Sequence, residues 1–96
     1  MKSMLVIVMD NAPEKLRGEL TRWLLEVKPG VLVGKTSAAV REKLWEKVRR
    51  AEEITGALLL YNTDSEQGFQ IELHGEPRRK VIDLDGLQLI KVQEFQ

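Results

Sequence analysis

Ninety-six residues with 15 basic side chains, 15 acidic ones and no cysteine exclude disulfides, thiolate metal sites, cysteine nucleophiles and a chain that is basic overall. Any grip on nucleic acid must therefore come from local clusters of cations. The 43% apolar fraction predicts a single domain over residues 1–96 with a modest core, and chains of this size often gain stability by associating.

Residues 4–9, MLVIVM, form an unbroken apolar run that predicts a central strand covered on both faces. The run stops at Asp10-Asn11. Asn11 with Glu14 three residues on has the spacing of a capping box, and Pro13 falls in the first turn. Leu16, Leu20, Trp23, Leu24 and Val27 then make an apolar helical stripe. The other face carries Lys15, Glu19, Arg22 and Glu26, opposite charges four apart. Gly18 lowers helix propensity by roughly 1 kcal/mol against Ala, for which a close contact would be a reason.

Lys28-Pro29-Gly30 predicts a turn, with short strands at 25–27 and 31–33 on either side. Ser37 is the expected cap of a second helix over 38–54, with Val40, Leu44, Trp45, Val48 and Ala51 as its stripe and Gly56 as its stop. Residues 57–61 predict a second buried strand. After a turn at 64–68, Phe69, Ile71 and Leu73 alternate with Gln70, Glu72 and His74, the pattern of a strand with one wet face. Residues 87–92 predict a last strand. This order predicts an α+β fold, a ferredoxin-like βαββαβ sandwich with an additional C-terminal strand. The last strand has no place in a four-stranded core and is free to pair with an edge outside its own sheet.

Apolar runs of about six residues fall far short of the roughly 20 that cross a bilayer, and residues 1–4 lack the regions of a signal peptide. The expectation is a cytoplasmic protein with no membrane association. Asp10, at the carboxyl end of the first strand, is placed to hold a hard cation such as Mg²⁺. One carboxylate is too few, and a two-fold dimer would supply two; from the residues alone the better reading is a turn former near a helix amino terminus, where negative charge is favourable. His74, the sole histidine, falls on the polar side of its strand. Ser3, Ser37 and Ser65 have no neighbouring base or nucleophile elbow, and there is no glycine-rich phosphate loop.

Lys15 and Arg17 near the start of the first helix, with Arg78, Arg79 and Lys80, can grip a phosphate backbone or can simply be solvated charge. Arg41, Lys43, Lys47, Arg49 and Arg50 alternate with Glu42, Glu46, Glu52 and Glu53, as on an ordinary exposed helix face. Trp23 and Trp45 lie on apolar stripes and are expected in the core.

Four blocks carry a resemblance: MLVIVMDNAPEKLRGELTRWLLEVKPGVLVG at 4–34, SAAVREKLWEKV at 37–48, NTDSEQGFQ at 62–70 and RRKVIDLDGLQL at 78–89. In this order and spacing the chain resembles the small CRISPR-associated adaptation subunit, "Cas-two", in its type I-E form. The resemblance implies a ferredoxin-like homodimer between two dimers of the integrase subunit "Cas-one". Such a complex captures a short duplex of foreign DNA and inserts it into the CRISPR array, with the bond-making chemistry in the integrase. Lys15, Arg17, Arg78 and Arg79 match basic positions that face double-stranded DNA, Lys15 standing where an arginine with its planar fork is common. Glu66, Asp83 and Asp85 fall where the subtype meets the integrase, and Leu87 and Leu89 belong to a partner-docking segment, 77–96. Asp10 matches an acidic position near the dimer axis to which Mg²⁺-dependent endonuclease activity on RNA or DNA has been assigned. That activity is not thought to be needed for integration, so a non-catalytic scaffold is expected, with the nuclease as the alternative.

Overall fold

A computed structural model describes residues 2–76 and 78–93. Strand β1 (Ser3–Asp10) is the middle of a five-stranded antiparallel sheet. Helix α1 (Glu14–Leu20), β2 (Leu25–Lys28), β3 (Val31–Thr36), helix α2 (Ala38–Arg50), β4 (Gly56–Asn62) and β5 (Phe69–His74) follow in the chain. The sheet order is β2-β3-β1-β4-β5. Its first four members have the ferredoxin-like arrangement, and β5 is added beside β4.

The side-chain alternation of β1 separates two faces. Leu5, Ile7 and Met9 are buried together with Leu16 and Leu20 of α1, Leu44, Trp45 and Val48 of α2, and Leu59 of β4. Both helices thus cover one face, and each fully buried leucine or isoleucine there contributes about 1.5–3 kcal/mol. Val6 and Val8 point the other way, opposite Val33, Val31, Leu60 and Leu58. They are half-buried, so an apolar surface remains on the side away from the helices.

The fold class matches the sequence reading, and the extra strands are more numerous than expected. Residues of the 79–84 stretch form a strand, β6 (Arg79–Leu84), which pairs with β7 (Leu87–Val92) as a separate two-stranded sheet. The last strand therefore pairs within its own chain. Asp85 and Gly86 adopt φ of 53° and 84°, and Leu84 faces Leu87 across them. Two consecutive left-handed residues make a type I′ hairpin turn, for which Asp-Gly is a preferred pair.

Helix α1 is shorter than its stripe suggested. It ends at Leu20 because residues 25–28 are taken up by β2, and this leaves Trp23 56% and Val27 55% exposed. Trp23 is a correction to the core expectation, whereas Trp45 is buried as expected. The capping box does not form either: Pro13 is the N-cap without a side-chain bond, and Asn11, at φ 58°, donates its Nδ2 to Thr55 Oγ1. A Cβ at Gly18 would meet nothing within 4 Å among the described residues, so no close contact accounts for it. In α2, Ser37 Oγ accepts from Val40 N as expected, but the helix stops at Arg50, four residues short of position 54. Arg41 is not simply solvated, since its guanidinium stacks 3.7 Å over the Tyr61 ring. His74 is half-buried on the helix-covered side, edge-on to Trp45 at 6.5 Å.

Gly30 locks the β2–β3 turn to the end of β1. Its carbonyl accepts from Met9 N at 2.8 Å, its φ is +82°, and a Cβ there would lie 2.5 Å from Met9 O. Its N–H donates to Glu26 Oε2, which also receives the Arg17 Nε at 2.8 Å. The Arg17 guanidinium, assisted by the Gly30 N–H, holds the Glu26 carboxyl below its ordinary pKa.

Two outcomes follow for stability. Gly30→Ala combines left-handed strain with a backbone clash and is expected to cost more than the about 1–3 kcal/mol of strain alone, read as a lowered thermal midpoint. Gly86→Ala, with open space around it, should cost only the strain. Because folding lowers the Glu26 pKa, its contribution is complete above the ordinary carboxylate range, about pH 4, and disappears as pH falls through the depressed folded value. Glu26→Gln should therefore show a shallower loss of stability in that acid range by urea titration.

Candidate functional site

The carboxyl end of β1 is where the chemistry-bearing side chains meet. The backbone fixes it from both sides: Thr55 N donates to Asp10 O at 3.2 Å, and the Gly30 turn holds Met9. Asp10 is exposed at the strand end, on the face away from the helices and opposite Gly56. Glu76 arrives from beyond β5. A Cβ placed on Gly56 would lie 2.5 Å from Glu76 Oε1 and 3.3 Å from Asp10 Oδ2, so the two carboxylates converge over one buried glycine. Asp10, Glu76 and Arg79 line a cleft of about 360 Å³ whose remaining walls are Val8, Leu58, Leu73 and Ile90.

Among the described residues no group of three or more His, Cys, Asp or Glu could hold a metal ion. Two carboxylates suit a hydrated Mg²⁺, which commonly binds through one or two carboxylates plus substrate phosphates. They do not form a closed site by themselves. His74 cannot assist them, since it packs against Trp45 on the opposite face.

The expected DNA-facing cations take different surroundings. Lys15 is exposed on α1. Arg17 is half-buried and paired with Glu26, and it lines a smaller cleft of about 180 Å³ with Asn11 and Gly30. The pairing raises its own pKa, first through the hydrogen bond to Glu26. Arg78 and Arg79 are exposed at the base of the β6–β7 hairpin. Arg79 N bonds to Glu76 O, and Arg78 O accepts from Gln93 N at 2.7 Å, which closes the open end of the hairpin.

The expected partner-binding residues also come together. Asp83 Oδ1 accepts from Gly86 N at 2.9 Å and Asp85 is the left-handed turn residue, so both shape the hairpin while remaining exposed. Leu84, Leu87 and Leu89 are 55%, 45% and 45% exposed on its outer side. Glu66, exposed in the β4–β5 turn, lies next to Gln67, whose Nε2 donates to Gln88 O of β7 at 2.9 Å. Pro77 and residues 94–96 of the expected docking segment lie outside the described residues.

Sequence reasoning missed Glu76, Gln67 and Gln88. No local pattern marks Glu76, which is brought to Asp10 only by the β4–β5 pairing, and glutamine in a turn or strand carries no chemical flag. The hairpin itself had a signal in Asp85-Gly86 flanked by apolar residues.

A family model described as CRISPR-associated protein (Cas_Cas2CT1978) matches residues 4–89. The matched stretch runs from the second residue of β1 to the third of β7 and includes Asp10, the basic positions, the β4–β5 turn and the hairpin as far as Leu89, so the chain belongs to this CRISPR-associated family of the "Cas-two" type and has a role in CRISPR adaptation.

Proposed function

We propose that the chain is a non-catalytic homodimeric scaffold of a cytoplasmic spacer-acquisition complex of the type I-E kind. It binds duplex protospacer DNA through backbone phosphates and bridges two "Cas-one" integrase dimers, with 77–96 as the docking segment. The observation that carries this reading is the β6–β7 hairpin. A core of this size is closed without it, and an isolated two-stranded sheet is marginal in water. Its outer leucines, Leu84, Leu87 and Leu89, nonetheless remain exposed, the condition of a surface that is covered in an assembly.

A second copy is supported by the other apolar surface. Val6, Val8, Leu58 and Leu60 are half-buried on the sheet face away from the helices, and Met4 and Leu25 beside them are 49% and 69% exposed. A two-fold partner offers the same face in return. For DNA, Arg78, Arg79 and Lys15 are the exposed candidates. At Arg17 a phosphate has to compete with Glu26. Contacts to phosphate suit captured DNA of varied sequence, because they carry no base information.

A second reading, a Mg²⁺-dependent endonuclease, has one observation in its favour, the convergence of Asp10 and Glu76 over Gly56. Asp10 with Glu76, or with Asp10 of a second copy, would hold the ion, which when bound polarises a phosphoryl oxygen and acidifies water.

Three measurements separate these readings. Arg78→Ala with Arg79→Ala should weaken binding to unrelated duplexes alike and reduce the log–log salt slope by about 2; an unchanged slope removes the clamp. Leu87→Glu with Leu89→Glu should abolish co-elution with the integrase subunit in size-exclusion chromatography while the homodimer persists. Asp10→Asn should leave spacer integration intact and remove any metal-dependent cutting; loss of integration would favour the nuclease.

A further inference from the structure

The hairpin is joined to the five-stranded sheet in an unusual way. The two sheets share no backbone ladder. A glutamine side chain ends in a carbonyl and an NH₂ group, the same donor and acceptor that a peptide unit presents. Gln88 of β7 uses both on the edge strand β5: its Oε1 accepts from Ile71 N at 2.7 Å and its Nε2 donates to Ile71 O at 3.3 Å. Gln67 does the same to Gln88, with Oε1 accepting from Gln88 N at 2.7 Å and Nε2 donating to Gln88 O at 2.9 Å. Two side-chain amides thus take the place of one rung of ladder, joining segments 17 and 21 residues apart.

Packing around this rung is open. A cleft of about 410 Å³ lies between β5 and the hairpin, lined by Ile71, Leu73, Arg79, Val81 and Gln88 among others. The hairpin keeps its own shape through its ladder and its Asp85-Gly86 turn. The amides join it to the edge strand and to the β4–β5 turn. The alternation of β7 gives that join a consequence: with Gln88 held toward β5, its neighbours Leu87 and Leu89 must face outward. On the other side of the rung, Glu66 is the residue directly before Gln67. The expected docking groups therefore flank the amides on both segments.

We propose that Gln67 and Gln88 are positioning residues, a two-amide clasp that sets the orientation in which Glu66, Leu87 and Leu89 meet the integrase-type partner. This rests on the docking reading above. The clasp acts through the residues beside it, and Gln67 and Gln88 need not touch the partner.

The test compares the native chain with Gln67→Met, Gln88→Met and the double variant, since methionine keeps length and loses the hydrogen bonds. Amide hydrogen exchange at Ile71 and Gln88 reports the clasp without any partner, and titration of the purified integrase subunit reports docking. The expected result is faster exchange at those two amides, unchanged protection in β1, and roughly tenfold weaker partner binding for the double variant. Gln88→Glu keeps the acceptor for Ile71 N and should fall between native and Gln88→Met on both readouts. Unchanged exchange in the double variant overturns the clasp, and faster exchange with native partner affinity overturns its positioning role. Native protein that does not bind the subunit overturns the docking reading and the positioning role with it, a result told apart because the unaltered chain fails. Should the double variant not fold, Gln67→Met, in a turn outside the core, decides by the same two readouts.

Discussion

Antiparallel pairing of β1 with β3 on one side and β4 on the other places every other part of the molecule. Residues 4–9 of β1 are apolar on both faces, and the two faces receive different tasks. Leu5, Ile7 and Met9 go under the helices and close the core. Val6 and Val8 lie half-buried on a second apolar surface, part of which faces Ile90 of the hairpin across a cleft. Because the strand ends in the middle of the sheet, Asp10 is delivered to a point where the β2–β3 turn, the start of β4 and the approach to the hairpin all converge. The Gly30 carbonyl and the Thr55 N–H hold that point from two directions.

The hairpin obeys different rules from the core. It is stabilised locally, by a left-handed Asp-Gly turn, an Asp83 side chain closing onto Gly86, and its own ladder. Its attachment to the rest of the chain depends on polar side-chain bonds across an open cleft. Such bonds are directional, and each adds only about 0.5–1.5 kcal/mol net, so they specify orientation more than they add stability.

Charge is distributed with the same economy. Basic and acidic residues cancel over the chain, yet the cations at the hairpin base and on α1 are differently committed. Arg17 is tied to Glu26 and shares in fixing the Gly30 turn, whereas Lys15 stands exposed on its helix. Asp10 and Glu76 together add negative charge at the strand end, beside Arg79.

Several features were readable from the residues in order. The apolar run of β1, the Ser37 cap and the stripe of α2 depend on neighbours within a turn or two, and so they determined the central strand, the second helix and the α+β class; the alternation of β5 marked a strand but put His74 on its wet side, whereas the fold turns it toward Trp45. The failures share one cause. The stripe through Trp23 and Val27 is helical by spacing, but the strand also expected at 25–27 prevails through its pairing with β3, and the ladder outweighs a periodicity that few helical residues support. Asn11 had cap chemistry, but the β1–β4 pairing brings Thr55 within reach and the side chain goes there instead. Local composition thus determined most of the elements, and Asp85-Gly86 carried the signal of the turn, while β6 went unread. Only the tertiary structure decided that Glu76 stands beside Asp10, that Arg17 is bound by Glu26 and that two glutamines hold the hairpin, because each is a contact between residues whose separation along the chain leaves no periodic trace.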